Sequence, residues 1–483
     1  MTEWWDPSFP YRLPIAAVDP LRLGRAREPV RLDLVFDLFR PHPGGITLVD
    51  DAGRPAPCQI ARSGVGRDGR LDYTSLYFLA DVAPGGSGLA RYHAYLAGEA
   101  RRLPAARGIR QLQPKLGDGF RRLDTGAYVV ELCRGTAAGH GGAKWGIRYF
   151  EEKSQGINLI HRSRNAFGGV YGPFFTPENG LVNPPAHLVI DIDPVFEGPV
   201  ACQYRLHGVI PDGLRPELRR KRLEMIWTFF ADSPWFVRTY LPDPYETVID
   251  GRPCRNRITV GDEIESGKGR LLLSTYRHDG GTAYRAGDLY AEILLDCIRK
   301  LQQREPAALA VAMSRLGIDP DEDPASWHWD NYWRLFSVIE GVLDDKVLRR
   351  EVEAIWRQAN EVVWSDREHN RMKYTDDAVD VSREPQQTIF PLDARKTYEL
   401  SPETGYAFVR YVNRTVPRMQ IVQRPESGWV NWGTNGENEY PEMPSGSTIH
   451  SAYGRFADLP AEAARMETPV VASAGTIERF YPL

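Results

Sequence analysis

RLDLVFDL, residues Arg31 to Leu38, alternates apolar and polar side chains. This period of two is typical of a strand with one buried face. The segment that follows, DDAGRPAPCQI, supplies Asp51, Gly53 and Pro55 for a turn and returns into another strand. SLYFLADVAPGGSGLARYHAYL then repeats the pattern of strand, Pro-Gly turn and strand. Residues 1–105 are therefore predicted to form a small antiparallel β-sandwich.

The rest of the chain divides by its hydrophobic period. A basic, proline-containing stretch, ARRLPAARGIRQLQPKLGDG, marks a boundary, and strand patterns dominate residues 106–287. Between 288 and 370 the period becomes helical, as in DLYAEILLDCIRKLQQ, and strand patterns return in 371–483. We expect a mainly β protein in which 106–287 and 371–483 form one large two-sheet sandwich, interrupted by a helical insertion.

Several short motifs carry a resemblance to a known fold. GRPAPCQI (Gly53 to Ile60), LYFLADVAPGG and RYHAYL resemble the β-domains of large carbohydrate-active enzymes. LDTGAYVVEL and ENEYPEMPSG resemble the galactose-mutarotase-like supersandwich of sugar epimerases, many polysaccharide lyases and some glycoside hydrolases. The resemblance implies a large antiparallel supersandwich and a carbohydrate substrate. In the epimerases of this fold a glutamate near the chain end acts as base, and Glu437 or Glu439 is its counterpart by position.

Composition and missing motifs exclude several classes of function. The 60 basic and 64 acidic residues leave a net charge of −4, so neither nucleic acid nor an anionic membrane is expected as a partner. No apolar run approaches the roughly 20 residues that span a bilayer, and the N-terminus lacks a secretory pattern, which predicts a cytoplasmic protein. The five cysteines are widely spaced and predict neither disulfides nor a zinc site. Phosphate-binding, dinucleotide-binding and serine-hydrolase motifs are missing, and no cofactor is expected.

Two segments rich in glycine, aromatic and polar residues are the candidate functional sites. HRSRNAFGGVYGPFFTPENGLVNPP, residues 161–185, is loop-like and offers candidate groups; they are His161, Arg164, Asn165, Tyr171 and Glu178. WVNWGTNGENEYPEMPSGSTIHSAYGRF, residues 429–456, offers a second set, comprising Trp429, Trp432, Asn435, Glu437, Glu439, His450 and Tyr453. In a regular strand His450 and Tyr453 would point to opposite faces.

Two further stretches bear charge. RYVNRTVPRM contains Arg410 and Asn413, which could bind the carboxylate of a uronic acid, whereas the alternative is a solvated arginine on an edge strand. The carboxylates of YETVIDGRPCRNRITVGDEIESGKGR, Asp262 among them, alternate along hairpins and are expected to be structural.

These residues support an enzyme that cleaves glycosidic bonds of oligosaccharides. The first hypothesis is a lyase acting by β-elimination on uronate-containing sugars. In it Arg164, Asn165 or Arg410 neutralises the carboxylate, His161 or His450 is the base, and Tyr171 or Tyr453 is the acid. The second is a glycoside hydrolase that pairs Glu178 with Glu437 or Glu439. The third is a non-catalytic carbohydrate-binding protein, which would show exposed aromatic platforms. Sugar identity, a metal such as calcium and a homo-oligomeric state stay open.

Overall fold

A computed structural model describes most of the chain. The described residues are 4–101, 108–112, 120–133, 146–160, 167–171, 191–209, 220, 222–241, 247–249, 252–254, 257–265, 272–278, 284–285, 297–321, 324, 334–335, 338–353, 379–380, 387–389, 395–414, 419–424, 428–434 and 443–481. No helix in these ranges is long and apolar enough to cross a membrane.

Strands dominate the described ranges, and all of their pairings are antiparallel. The first strands are β1 (Tyr11–Val18), β2 (Arg25–Val35), β3 (Ile46–Asp50), β4 (Pro55–Ala56), β5 (Cys58–Val65), β6 (Leu71–Val82) and β7 (Leu89–Leu96). The middle strands are β8 (Arg110–Leu112), β9 (Phe120–Asp124), β10 (Tyr128–Cys133), β11 (Gly146–Glu152), β12 (Ile157–Asn158), β13 (Phe167–Tyr171), β14 (Asp191–Phe196), β15 (Ala201–Val209), β16 (Arg222–Phe230), β17 (Trp235–Tyr240), β18 (Thr247–Ile249), β19 (Arg252–Cys254), β20 (Arg257–Glu265), β21 (Thr275–His278) and β22 (Tyr284–Arg285). The last strands are β23 (Val379–Asp380), β24 (Gln387–Ile389), β25 (Lys396–Leu400), β26 (Ala407–Val412), β27 (Met419–Arg424), β28 (Trp429–Thr434), β29 (Met443–Pro444), β30 (Ser447–Gly454), β31 (Val471–Ala474) and β32 (Glu478–Arg479).

The first 105 residues contribute most of a small sandwich, as predicted. One sheet has the order β2-β6-β5, and the other has the order β31-β1-β7-β3-β4 with β32 also paired to β1. Their facing sides bury Leu13, Leu32, Leu76 and Ala94, among others. Alternation along β2 is the local cause, because every second side chain faces the other sheet. The last two strands of the chain therefore belong to this sandwich, whereas the sequence pattern predicted that all of 371–483 would belong to the large one.

The large sandwich consists of two long antiparallel sheets. One sheet, described as twelve strands, runs β22-β24-β27-β28-β20-β13-β11-β10-β9-β8, with β12 on β11 and β29 on β20. The other, described as nine strands, runs β14-β15-β16-β17-β30-β26-β25-β21-β23. A single core of aromatic and aliphatic side chains fills the space between them, including Phe167, Trp227, Phe408 and Trp432. Strands from both sides of the helical insertion contribute to each sheet, which confirms the predicted mainly β supersandwich.

Helices are few in the described ranges. Within the predicted insertion lie helix α1 (Pro306–Leu316), a 3-10 helix (Glu340–Val342) and the helical residues 297–304 and 346–353. Helix α1 begins with proline and ends at Gly317, whose φ of 66° suits a left-handed C-cap. Helix α2 (Leu459–Glu467) packs on the outside of the nine-stranded sheet, and the Asp458 side chain caps it by accepting from the Ala461 N–H.

The two sandwiches meet where the outward side of β6 packs against the large sandwich. Tyr77 and Leu79, on the outward side of β6, pack against Val200 and Phe230 of the large sandwich. Gln59 reinforces this contact, because its Oε1 accepts the Val200 N–H at 3.0 Å as well as the neighbouring Ala201 N–H at 2.9 Å. A buried side-chain amide thus ties the small sandwich to the backbone of the large one.

Candidate functional site

Four charged side chains form an ionic network between the sheets of the large sandwich. Asp262 projects from β20 in the twelve-stranded sheet, where its Oδ2 accepts from Arg238 Nη2 at 2.8 Å and from Arg410 Nε at 2.9 Å. Glu399 accepts a further hydrogen bond from Nη1 of Arg410. The side chains of all four residues are 0% exposed, so two cations and two carboxylates compensate one another away from water.

Aromatic rings enclose the ionic network. The guanidinium carbon of Arg410 lies 4.5 Å from the ring centroid of Phe408 and 4.5 Å from that of Trp432. The guanidinium carbon of Arg238 lies 5.0 Å from the Phe167 ring and 5.5 Å from the Trp227 ring. These cation–π contacts stabilise the charged forms of the arginines where water cannot.

The ionic network is balanced in charge and incomplete in hydrogen bonding. Among the described residues, Arg238 Nε, Arg410 Nη2 and Glu399 Oε1 are buried without a hydrogen-bond partner. Burial raises the pKa of Glu399, although the neighbouring Arg410 cation opposes that shift. A buried ionic network with unsatisfied hydrogen-bonding atoms is weak evidence for stability, and the best-attested role of such networks is to specify register. We therefore regard it as the element that fixes β20 against the opposite sheet.

Gly168 holds the backbone side of the ionic network, and its substitution tests this role. Its N–H donates to Asp262 Oδ1 at 2.9 Å, and its φ is +71°. A Cβ there would lie 2.6 Å from Trp227 Cη2 and 2.8 Å from Arg238 Nη1. We expect Gly168→Ala to lower the free energy of unfolding by about 3 kcal/mol or more, measured by urea denaturation.

Gly69→Ala is the matched control for that substitution. Gly69 has nearly the same φ, +75°, and nothing lies within 4 Å of its added Cβ. Gly69→Ala should therefore lower the free energy of unfolding by the backbone strain alone, about 1 kcal/mol. Equal losses in the two variants would mean that the space beside Gly168 is not restrictive.

The end of β13, the end of β28 and the short strand β29 all lie beside the same end of β20. Tyr171, the last residue of β13, pairs with Thr259, and Gly433, next to the end of β28, pairs with Gly261 on the other side. The short strand β29 pairs with Arg257 and Ile258 at the same end. Segment 172–190 therefore follows β13, and segment 435–442 follows β28, at one end of β20. The two strands β13 and β28 flank β20 and are separated by two strand spacings, or about 10 Å. We call this region the β20 end.

His450 and Tyr453 lie on opposite faces of β30, as the strand pattern predicted. The Tyr453 side chain is buried in the core between the sheets, and its hydroxyl donates to Gln155 Oε1 at 2.8 Å. The His450 ring lies on the outer face, 5.7 Å from the ring centroid of Tyr411. These two residues do not share a site.

The setting of His450 leads to a pH prediction. Burial lowers the pKa of His450 from its ordinary 6.5 to about 4. Between these two values the unfolded chain binds more protons than the folded protein, so the free energy of unfolding falls as the pH is lowered through this window. We expect the free energy of unfolding of His450→Gln to fall less than that of the wild type over the same pH window. Thermal unfolding at several pH values measures the difference. Parallel curves for the two proteins would contradict this expectation.

The other described candidates are largely occupied by structural contacts. Arg410 lies on an internal strand rather than at a sheet edge, so the solvated-edge alternative is wrong for it. The Trp432 ring is fully buried, and its N–H donates to Thr397 Oγ1 at 3.0 Å. Asn413 Oδ1 accepts the Thr448 N–H at 2.8 Å, and Trp429 lies opposite Glu265 at the far end of β20.

The remaining candidates cannot be located as side chains. His161, Arg164, Asn165, Glu178, Asn435, Glu437 and Glu439 lie outside the described residues, and only the backbone of Tyr171 is described.

Three members of the ionic network were not predicted as site residues. Glu399 and Arg238 were not selected, and Asp262 was expected to be structural. The sequence WFVRTY holds a signal for Arg238, because a strand period places this cation on the same face as Phe236 and Tyr240. A charge on an otherwise aromatic face requires a buried partner.

Comparison with known proteins gives resemblance in structure only. The sequence matches no protein-family model and no curated protein. A glycosyl hydrolase family 38 protein from Enterococcus faecalis matches with a TM-score of 0.45 and 8% identity, over 96% of this chain and 47% of that one. An alpha-mannosidase from Enterococcus faecalis V583 matches with a TM-score of 0.45 and 8% identity, over 96% and 46%. Galactose 1-epimerase from Lactobacillus acidophilus NCFM matches with a TM-score of 0.34 and 9% identity, over 72% and 98%. The chain spans about half the length of the first two.

Proposed function

We propose that this chain is a carbohydrate-active enzyme that hydrolyses glycosidic bonds of oligosaccharides with a pair of glutamates. The supporting observation is the β20 end. Segment 172–190, which contains Glu178, and segment 435–442, which contains Glu437 and Glu439, are joined to strands on either side of β20. Glycosidases act with two carboxyl groups separated by about 5–10 Å, and strand ends about 10 Å apart can carry such a pair.

The ionic network supplies the rigid base that such a pair needs. Asp262 lies three residues along β20 from Thr259 and is bonded to arginines of the opposite sheet. Catalytic groups must be held within about 0.5 Å of their working geometry, so the strand that separates the two segments has to be fixed. In this proposal Arg238, Asp262 and Arg410 are positioning residues, because they are closed to solvent and act through β20.

Elimination has weaker support from the described residues. A lyase needs a cation free to neutralise the substrate carboxylate, whereas the Arg410 charge is already shared by Asp262 and Glu399. His450 and Tyr453, as base and acid, would have to act on one substrate from opposite faces of a strand.

One assay separates the two reactions. The protein is incubated with neutral and uronate-containing oligosaccharides, while ultraviolet absorbance of a new C=C bond and release of reducing ends are followed together. We expect reducing ends without absorbance. Absorbance that rises with the reducing ends would overturn hydrolysis in favour of elimination, and silence on the whole panel would reject the proposal.

A further inference from the structure

A cleft lies in the small sandwich, remote in sequence from the β20 end and from the ionic network. Its volume is about 480 Å³, within the usual range for small-molecule sites. Its lining includes Trp4 and Trp5 near the N-terminus, Asp51 and Gly53 of the β3–β4 turn, and His93 and Tyr95 of β7. We call it the Trp5 cleft.

Trp5 is the most exposed aromatic residue that lines this cleft. The residue is 36% exposed, and its backbone N–H donates to the Tyr95 hydroxyl at 2.9 Å, which fixes the chain beside the sheet. Tyr95 is only 2% exposed. Trp4 is covered by the Arg12 guanidinium, 4.7 Å from its ring centroid, and by Phe480 at 5.2 Å. Trp5 is therefore the ring of the Trp5 cleft that is most open to a ligand.

Two polar side chains of the Trp5 cleft, Asp51 and His93, can bind hydroxyl groups. Asp51 is exposed and makes no hydrogen bond or ion pair among the described residues, and neither ring nitrogen of His93 has a hydrogen-bond partner there. Burial lowers the pKa of His93, with a smaller contribution from the Arg12 charge, so the ring is neutral near pH 7 and can both donate and accept. The Asp51 carboxylate and the neutral His93 ring, which have no hydrogen-bond partner among the described residues, therefore line the same cleft as the exposed Trp5 indole.

The turn that carries Asp51 is rigid. Asp50 Oδ1 accepts the N–H groups of Ala52 at 3.0 Å and Arg54 at 2.8 Å, and its backbone oxygen accepts the Gly53 N–H at 3.0 Å. Gly53 has a φ of +76°, and a Cβ there would lie 3.7 Å from Trp5 Cδ1, so the turn backbone runs beside the indole. The cleft is thus held in shape without a ligand, which lowers the entropic cost of binding.

We propose that the Trp5 cleft is a non-catalytic carbohydrate-binding site that takes one sugar ring of a glycan. The apolar face of the sugar stacks on Trp5, while Asp51 and His93 bind its hydroxyl groups. A quaternary ammonium ion would need several exposed ring faces around it, whereas here Tyr95 is buried and Trp4 is partly covered by Arg12 and Phe480. The inference goes beyond the proposed hydrolysis, because it concerns binding in the other sandwich.

The test follows Trp5 itself. The full chain is labelled with 5-fluorotryptophan, and the ¹⁹F NMR resonance of Trp5 among the 12 tryptophans is identified as the one missing from Trp5→Phe. Methyl glycosides and short gluco-, manno-, galacto-, xylo- and galacturono-oligosaccharides are titrated to about 10 mM, since one stacking platform gives weak affinity. We expect a saturable shift of the Trp5 resonance with at least one sugar.

Variants and a competing ligand complete the test. Asp51→Asn should weaken the affinity for the sugar at least about tenfold, as measured from the Trp5 resonance. Trp5→Ala should weaken the affinity for the same sugar by a similar factor, as measured by calorimetry. The controls Asp37→Asn and Tyr73→Ala remove an exposed carboxylate and an exposed ring outside the cleft and should leave both unchanged. A Trp5 resonance that no sugar shifts, or that only tetramethylammonium shifts, would overturn the proposal. A shift without any glycoside hydrolysis would instead reject the proposed enzyme and retain the binding site.

Discussion

Arg410→Ala should lower the free energy of unfolding by about 3–5 kcal/mol, because it leaves buried carboxylates without their cation. Arg410 donates to Asp262 at 2.9 Å and also to Glu399, and all three side chains are 0% exposed. Arg238 would still compensate Asp262, while Glu399 would lose its described partner. Urea denaturation followed by tryptophan fluorescence measures the change.

Two further variants separate lost charge compensation from lost side-chain volume. Arg410→Met combined with Glu399→Leu removes one cation and one carboxylate and keeps the site filled, so we expect it to be more stable than Arg410→Ala. Arg31→Ala is the surface control, since Arg31 and its partner Asp33 are 45% and 64% exposed and such pairs are worth about 0–1 kcal/mol. A loss at Arg410 no larger than the loss at Arg31 would contradict the assigned role of the ionic network.

The second large effect is expected in catalysis. Glu178→Gln, and one of Glu437→Gln and Glu439→Gln, should each lower kcat for oligosaccharide hydrolysis by about 10²–10⁴-fold, because an amide can neither donate nor accept the transferred proton. The measurement is release of reducing ends under saturating substrate. Proton NMR of the first product then tells whether the anomeric configuration is retained or inverted.

Glu99→Gln serves as the control for these carboxylates. Glu99 is exposed, lies in the small sandwich and, among the described residues, forms an ion pair with Arg101 at the surface, so its substitution should leave kcat unchanged. Circular dichroism of each variant establishes that it is folded. Full activity in all three candidate variants would reject the glutamate pair and return the search to other residues of the two segments.

Local sequence patterns determined the strands and the fold class. Along RLDLVFDL the prediction of a buried face is confirmed for Leu32, Leu34 and Phe36, since each is at most 7% exposed. It fails at Leu38, which is 85% exposed, because β2 ends at Val35 and the strand period no longer applies. The change to a helical period after residue 288 likewise predicted the helical residues that lie within 297–353. These successes share one cause, namely that the alternation of burial within an element is written in neighbouring residues.

Only the tertiary structure decided which distant residues meet. Asp262 and Arg410 are separated by 148 positions, and the Trp5 cleft joins the N-terminus to a turn near residue 50 and to β7. The pairing of β31 with β1, near opposite ends of the chain, is of the same kind. Periodicity reports that a side chain is buried and on which face, but it carries no information about the sheet that will cover that face. The partners of a buried charge are set by sheet order and register, which the whole chain determines together.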